Sequence, residues 1–86
     1  MTTPHFTLDD ARWLGTQIGI DWATSPFDPS QFLMGLGVEL EHGTHDPQTD
    51  VTGNDAVMTA KIAWAHLKEL PDYYTRLAVM ESEAEQ

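Results

Sequence analysis

Cysteine is absent and basic residues are few in this sequence of 86 residues. Without cysteine the chain has no disulfide framework, no thiolate zinc site, no iron–sulfur cluster and no cysteine nucleophile. Four Lys and Arg residues stand against fourteen Asp and Glu residues, which gives a formal net charge of −10. Because phosphate groups repel such a chain, we expect no binding to nucleic acid and no docking on an anionic membrane.

Long apolar runs are also missing. The longest wholly apolar stretch has only a few residues, far short of the ~20 that a membrane-spanning helix needs. The start, "MTTPHFTLDD", lacks a basic region followed by an apolar one, so we expect no secretion signal. The length suits one domain, and we predict a single helical domain over 1–86 with frayed tails at 1–6 and 82–86.

The apolar periodicity indicates an all-α fold. Thr7 and Asp10 have the spacing of a capping box, which predicts a first helix that ends near Gly19. Asp28 followed by a proline is typical of an N-cap with proline at the first helical position. The second helix is then expected over 29–42, with Gly43 as its left-handed terminator.

A polar loop over 43–55 follows, and Thr52 and Asp55 repeat the capping-box spacing before a third apolar pattern. The Asp and Asn residues of this loop offer oxygen ligands to calcium, but the order of an EF-hand loop is absent. Pro71 is expected to kink the third helix or to start a fourth, with Leu77 and Met80 facing inward. The sequence thus predicts a small compact bundle of three to four helices, the last kinked or restarted at Pro71.

The segment "ELEHG" carries the most suggestive pattern for chemistry. Glu39 and His42 are one helical turn apart, the spacing with which a helix offers two ligands to one metal ion. On a helical wheel Glu39 lies about 70° from the centre of the apolar stripe. Gly35 falls between Glu39 and His42 on the same wheel, and such a small residue would let another helix approach. His66 and Glu69 give a similar pair in the reverse order on the third helix. If the two helices are antiparallel neighbours, Glu39, His42, His66 and either Glu69 or a nearby Asp are expected to converge.

Two interpretations of these residues remain open. In the first, a metal site is formed by Glu39, His42, His66 and Glu69. Zinc or iron is then the preferred ion, because imidazole is a ligand. In the other, they belong to a hydrogen-bonded polar network that needs no ion, because a buried carboxylate requires a partner. Tyr73 and Tyr74 can donate hydroxyl hydrogen bonds to Glu39 or to a ligand, or one ring can be core while the other covers the helix break.

From residue 6 to about 80 the chain resembles a family of small uncharacterised proteins from bacteria and bacteriophages. The resemblance rests on "FTLDDA", "GIDW", "F-x-MGL-x-VELEHGT", "T-x-KIA-x-AHL-x-E" and "PDYYTRL", in this order. The family has no established activity, so the resemblance implies relatives and not a mechanism. It implies signature polar positions at Glu39, Glu41, His42, His66, Asp72, Tyr73 and Tyr74. It also implies a location in the bacterial cytoplasm, or in the virion if a phage encodes the protein.

Three functions fit these observations. The first is a small acidic binding or assembly module without catalysis, which acts through an unidentified protein partner, as a phage or prophage accessory protein for example. It predicts an exposed apolar patch that includes Trp22 and Phe27. The second is a zinc- or iron-binding domain that uses Glu39, His42 and His66. The third is an acidic mimic of nucleic acid, which ranks last because the carboxylates are spread over all faces.

Overall fold

The computed structural model describes residues 6–45, 48 and 55–84, without the side chains of 42–45. This part of the chain is helical, with no strand in it, which confirms the predicted all-α bundle. The helices in the described ranges are α1 (Leu8–Ile18), α2 (Pro29–His45), α3 (Ala56–Glu69) and α4 (Tyr73–Ala84). None of them is long and apolar enough to cross a membrane.

Local signals at both ends of α1 act as predicted. The Thr7 hydroxyl accepts from the Asp10 backbone N–H at 3.1 Å, and the Asp10 carboxylate accepts from the Thr7 backbone N–H at 2.9 Å. This reciprocal pair is a capping box. At the other end Gly19 adopts φ 111°, a left-handed conformation that glycine reaches without steric cost. The sequence therefore specifies this helix locally.

The start of α2 is also as predicted, but its end is not. The Asp28 carboxylate accepts from the Ser30 hydroxyl and from the Gln31 backbone N–H at 3.1 Å. Mainly through the Ser30 hydrogen bond, these contacts hold the pKa of Asp28 below its usual value. The prediction that Gly43 terminates α2 was wrong, because the helix continues to His45. Glycine permits a left-handed terminator but equally permits helical dihedrals, so its position alone does not end a helix.

The polar segment before α3 gives a second correction. Asp55 is itself the N-cap of α3, and its carboxylate accepts from the Met58 backbone N–H at 3.0 Å. The predicted partner at the start of that capping box, Thr52, lies outside the described residues, as does most of the predicted 43–55 loop. Beyond Glu69 the chain turns at Pro71, and α4 starts anew at Tyr73. The predicted restart at Pro71 is therefore confirmed.

The core forms around α2, which packs against α1, α3 and α4. Trp22 contacts Phe27 and Phe32 edge to face, at ring-centroid distances of 5.9 and 5.7 Å. Phe27 is buried and Trp22 is packed against the core, so the expectation that these two rings form an exposed patch was wrong. The buried apolar residues are Ala11, Leu14, Ile20, Phe27, Phe32, Leu36, Leu40, Ala60, Ala63, Leu67 and Tyr74.

Only the first half of α4 belongs to this core. Tyr74 is buried and Leu77 packs against the core, whereas every residue from 78 to 84 is exposed. Met80, which was expected to face inward, is 59% exposed, so that prediction was wrong. The reason is that α4 extends beyond the bundle, where helical periodicity no longer corresponds to a buried side. We call residues 78–84 the outer half of α4.

Candidate functional site

Four side chains from three helices meet where α2, α3 and α4 come together. Glu39 comes from α2, His66 from α3, and Tyr73 and Tyr74 from the first turn of α4. We call these four residues the Glu39 cluster. Each belongs to the set of residues that the helical spacing and the family resemblance indicated.

The hydrogen bond between Tyr74 and Glu39 is the buried part of the cluster. The Tyr74 hydroxyl donates to Oε2 of Glu39 at 2.8 Å. Tyr74 is 1% exposed, and the Glu39 side chain is 12% exposed. Burial raises the pKa of Tyr74 well above its ordinary value, and the hydrogen bond to Glu39 and its negative charge raise it further. At neutral pH the phenol is therefore a proton-bearing donor that satisfies a largely buried carboxylate.

His66 forms the more accessible part of the cluster. Its Nε2 atom lies 3.6 Å from Oε2 of Glu39, and its side chain is 38% exposed. The imidazole stacks on the Tyr73 ring at a centroid distance of 4.4 Å and an interplanar angle of 5°. It also meets Tyr74 edge to face at 6.2 Å. The imidazole thus contacts both α2 and α4, so it ties the restarted helix to the bundle.

Gly35 makes this close approach possible. A Cβ atom at this position would lie 2.5 Å from Cε2 of Tyr74 and 3.0 Å from Cβ of Ala63. Real carbon atoms do not approach so closely, so only glycine leaves room for the Tyr74 ring against α2. The prediction that a small residue here lets another helix come close is confirmed, and the nearest contact is with α4.

The remaining predicted site residues lie in different surroundings. Glu69 and Glu41 are exposed, and Asp72 accepts a hydrogen bond from Nε of Arg76 at 2.8 Å. His42 lies in α2, but its side chain is outside the described part of the structure. Within the described residues, no group of three or more His, Asp or Glu side chains is placed to hold a metal ion.

Sequence reasoning missed one contact that also fixes α4. The side-chain amide of Gln31 donates to the Thr75 hydroxyl at 2.5 Å, which joins α2 to α4 about two helical turns before Glu39. No motif marks this pair, because both residues are common polar types and are separated by 44 positions. Together with the Glu39 cluster, it fixes the first turn of α4.

A family model described as "Protein of unknown function (DUF5661)" matches residues 11–83. The chain belongs to the DUF5661 family. No curated protein and no solved structure is significantly similar to it.

The DUF5661 match has a simple relation to the site. It includes the whole Glu39 cluster, Gly35 and nearly all of the outer half of α4. It begins after the capping box of α1. Because DUF5661 is a family of unknown function, membership assigns no activity to this chain.

Proposed function

We propose that the protein is a small acidic binding module that acts through a protein partner and catalyses no reaction of its own. The observation that carries this proposal is the outer half of α4. This helical segment projects from the bundle and presents two large apolar side chains, Val79 and Met80, which are 53% and 59% exposed.

The base of α4 is firmly held, whereas no residue of its outer half is buried or half-buried. Tyr74 is buried against Gly35 and bonded to Glu39, and Thr75 accepts from Gln31. Beyond Leu77, all residues through Ala84 are exposed. A helical segment this short is marginal in water without packing, so contacts from a partner would stabilise it. The Glu39 cluster then serves as the anchor that positions a docking helix.

Other exposed apolar side chains support docking less well. Trp13 is strongly exposed on α1, but its neighbours at helical spacing are all polar, and single exposed apolar residues are normal on protein surfaces. These neighbours are Asp9, Asp10, Thr16 and Gln17. Val57 and Met58 on α3 are 45% and 44% exposed, similar in type and exposure to the α4 pair. This pair lies in the first turn of α3, a helix that is packed on the core along its length, so it does not belong to a wholly exposed segment and provides a matched control.

The test is affinity co-purification of tagged protein from cells of the source organism, with quantitative mass spectrometry. The double variant Val79→Ser/Met80→Ser is compared with Val57→Ser/Met58→Ser, and both are checked for wild-type helicity by circular dichroism. We expect a partner that the wild type and the α3 variant retain and that the α4 variant loses roughly tenfold or more, as for a buried interface anchor. Equal retention by both variants, or no retained protein, would refute the proposal.

Metal binding is a second candidate, and the approach of His66 to Glu39 favours it. Two ligands at the usual zinc distances in a tetrahedral site lie roughly 3.4 Å apart. The separation between Nε2 of His66 and Oε2 of Glu39 is 3.6 Å. His42, one turn after Glu39, is the third ligand that this candidate requires. Zinc and iron are the ions that an imidazole and a carboxylate suit best.

Elemental analysis by inductively coupled plasma mass spectrometry, before and after chelator treatment, tests this second candidate. Metal binding predicts near-stoichiometric zinc or iron that the variant His66→Ala loses. It also predicts that His66→Ala lowers the melting temperature of the untreated protein but not of chelator-treated protein. A metal-free wild type, or equal destabilisation in both samples, assigns His66 and Glu39 to a structural network instead.

A further inference from the structure

The exposed face of α4 carries a negative charge in the middle of its apolar residues. At about 100° per residue, Glu83 falls between Val79 and Met80 on one side of the helix. This side lies opposite the one on which Tyr74 and Leu77 pack against the core. We call Val79, Met80 and Glu83 the α4 stripe. Glu81 falls on a different side of the same helix, about 100° from Met80.

Within the described residues, Arg76 is the one basic side chain of α4, and it lies about two helical turns before Glu83. The sequence has no Lys or Arg after Arg76. Arg76 is already paired with Asp72, through a distance of 2.8 Å between Nε and Oδ1. The end of α4 therefore carries uncompensated carboxylates next to exposed apolar side chains.

The position of Glu81 and Glu83 at the C-terminal end of α4 is electrostatically unfavourable. The C-terminal end of a helix carries a partial negative charge, which destabilises nearby Glu side chains and favours cations. Glu81 and Glu83 lie in the last turn of α4, where there is no basic residue. A cation brought by a partner would meet both the carboxylate of Glu83 and the favourable end of the helix dipole.

From this arrangement we infer that the partner is a basic, amphipathic protein segment. Its apolar side chains pack on Val79 and Met80, and a Lys or Arg side chain pairs with Glu83. This inference rests on the proposed function and adds the chemistry of the partner. The same charge disfavours the other occupants of an apolar stripe. Nucleic acid and anionic membranes are repelled, and a second copy of a chain with net charge −10 is repelled as well.

The test uses a defined probe, a fluorescent 14-residue amphipathic helical peptide of Lys and Leu, with a Glu and Leu peptide of the same pattern as control. Binding is measured by fluorescence anisotropy across a salt series. We expect the Lys peptide to bind, with an affinity that falls as salt rises, and the Glu peptide not to bind. We also expect Val79→Ser/Met80→Ser to weaken binding while Val57→Ser/Met58→Ser does not.

A matched pair of single variants locates the charge. Glu83→Gln and Glu81→Gln remove the same charge from the same helix turn, but only Glu83 lies on the stripe. We expect Glu83→Gln to weaken binding roughly fivefold, the size of one charge pair, and Glu81→Gln to change it by less than about twofold. Equal effects of the two variants, or equal effects of the two Ser double variants, would mean that the peptide binds by general charge attraction and would overturn the inference.

Three parallel measurements test whether the α4 stripe instead binds nucleic acid, an anionic membrane or a second copy of the chain. Binding of a DNA duplex, binding to phosphatidylglycerol vesicles, or self-association in sedimentation velocity that depends on the α4 stripe would each overturn the inference. Its failure can be told apart from failure of the proposed function. If co-purification depends on Val79 and Met80 but is insensitive to salt and to Glu83→Gln, the protein-binding function stands and the basic partner does not.

Discussion

Replacing Gly35 by Ala is predicted to destabilise the protein, although alanine favours a helix more than glycine does. In a helix interior the change from Gly to Ala normally stabilises by about 0.5–1 kcal/mol. At Gly35 the added methyl group would lie 2.5 and 2.9 Å from Cε2 and Cζ of Tyr74. The Tyr74 ring is 1% exposed, so any shift of the ring displaces the core side chains that surround it.

The expected magnitude follows from two opposing terms. Forcing an extra methyl group into a packed core costs about 1–3 kcal/mol. Displacing the Tyr74 ring also strains its hydroxyl bond to Glu39, and hydrogen bonds to charged groups contribute about 1.5–3 kcal/mol. After the gain in helix propensity is subtracted, we expect a net loss of about 1–3 kcal/mol in the free energy of unfolding. For a domain of this size, each 1 kcal/mol lowers the melting temperature by about 4–8 °C.

Gly37 in the same helix is the matched control. Among the described residues outside its own stretch of helix, none has an atom within 4 Å of the position that its Cβ would occupy, so Gly37→Ala is expected to stabilise by up to about 1 kcal/mol. Urea unfolding followed by circular dichroism at 222 nm measures both variants. The two glycines should therefore give changes of opposite sign. If Gly35→Ala is as stable as Gly37→Ala, the close packing of Tyr74 against α2 is refuted.

Three further substitutions test other contacts. Tyr74→Phe should lower the free energy of unfolding by about 1–3 kcal/mol at pH 7, because it leaves the Glu39 carboxylate without its donor. The folded-state pKa of Tyr74 is raised, so the stabilisation that its hydroxyl gives to the folded state is complete below pH ~10 and is lost as pH rises further. Urea titrations from pH 8 to 11 should therefore show the two proteins converging, and a constant gap would contradict this. Gly19→Ala should cost about 1–2 kcal/mol in thermal unfolding, because a side chain is strained at φ 111°, and no change in melting temperature would count against that conformation. Asp55→Ala should cost about 0.5–2 kcal/mol through loss of the cap on Met58, and Asp55→Asn, which can still cap, should be close to wild type in the same assay.

The sequence predicts those parts of the fold that are determined by interactions between residues close together in the chain. The capping box of Thr7 and Asp10, the proline after Asp28 and the restart at Pro71 are local signals, and each corresponds to a helix boundary in the structure. The prediction that Gly43 ends α2 failed, because glycine is compatible both with a helix interior and with a helix terminator. The helix continues through it to His45.

The site was only partly predictable, because helical spacing gives the side of a helix but not its neighbour. The helical spacing predicts that Glu39 and His66 meet if their helices are neighbours, and the two side chains do lie 3.6 Å apart. Which tyrosine would be buried, and that its hydroxyl would donate to Glu39, depended on how α4 packs after the turn at Pro71. The inward placement of Met80 failed for a related reason, since periodicity does not reveal where a helix leaves the bundle.

Photo-crosslinking in cells gives the most direct evidence on whether a protein partner docks on the outer half of α4. A photoreactive benzoylphenylalanine is placed at position 80 or at position 58 of the protein in cells of the source organism, and adducts are identified by mass spectrometry after irradiation. If a partner docks there, we expect a discrete adduct with another protein from position 80 and none from position 58. No adduct from position 80, or the same adduct from both positions, would rule out docking on this segment.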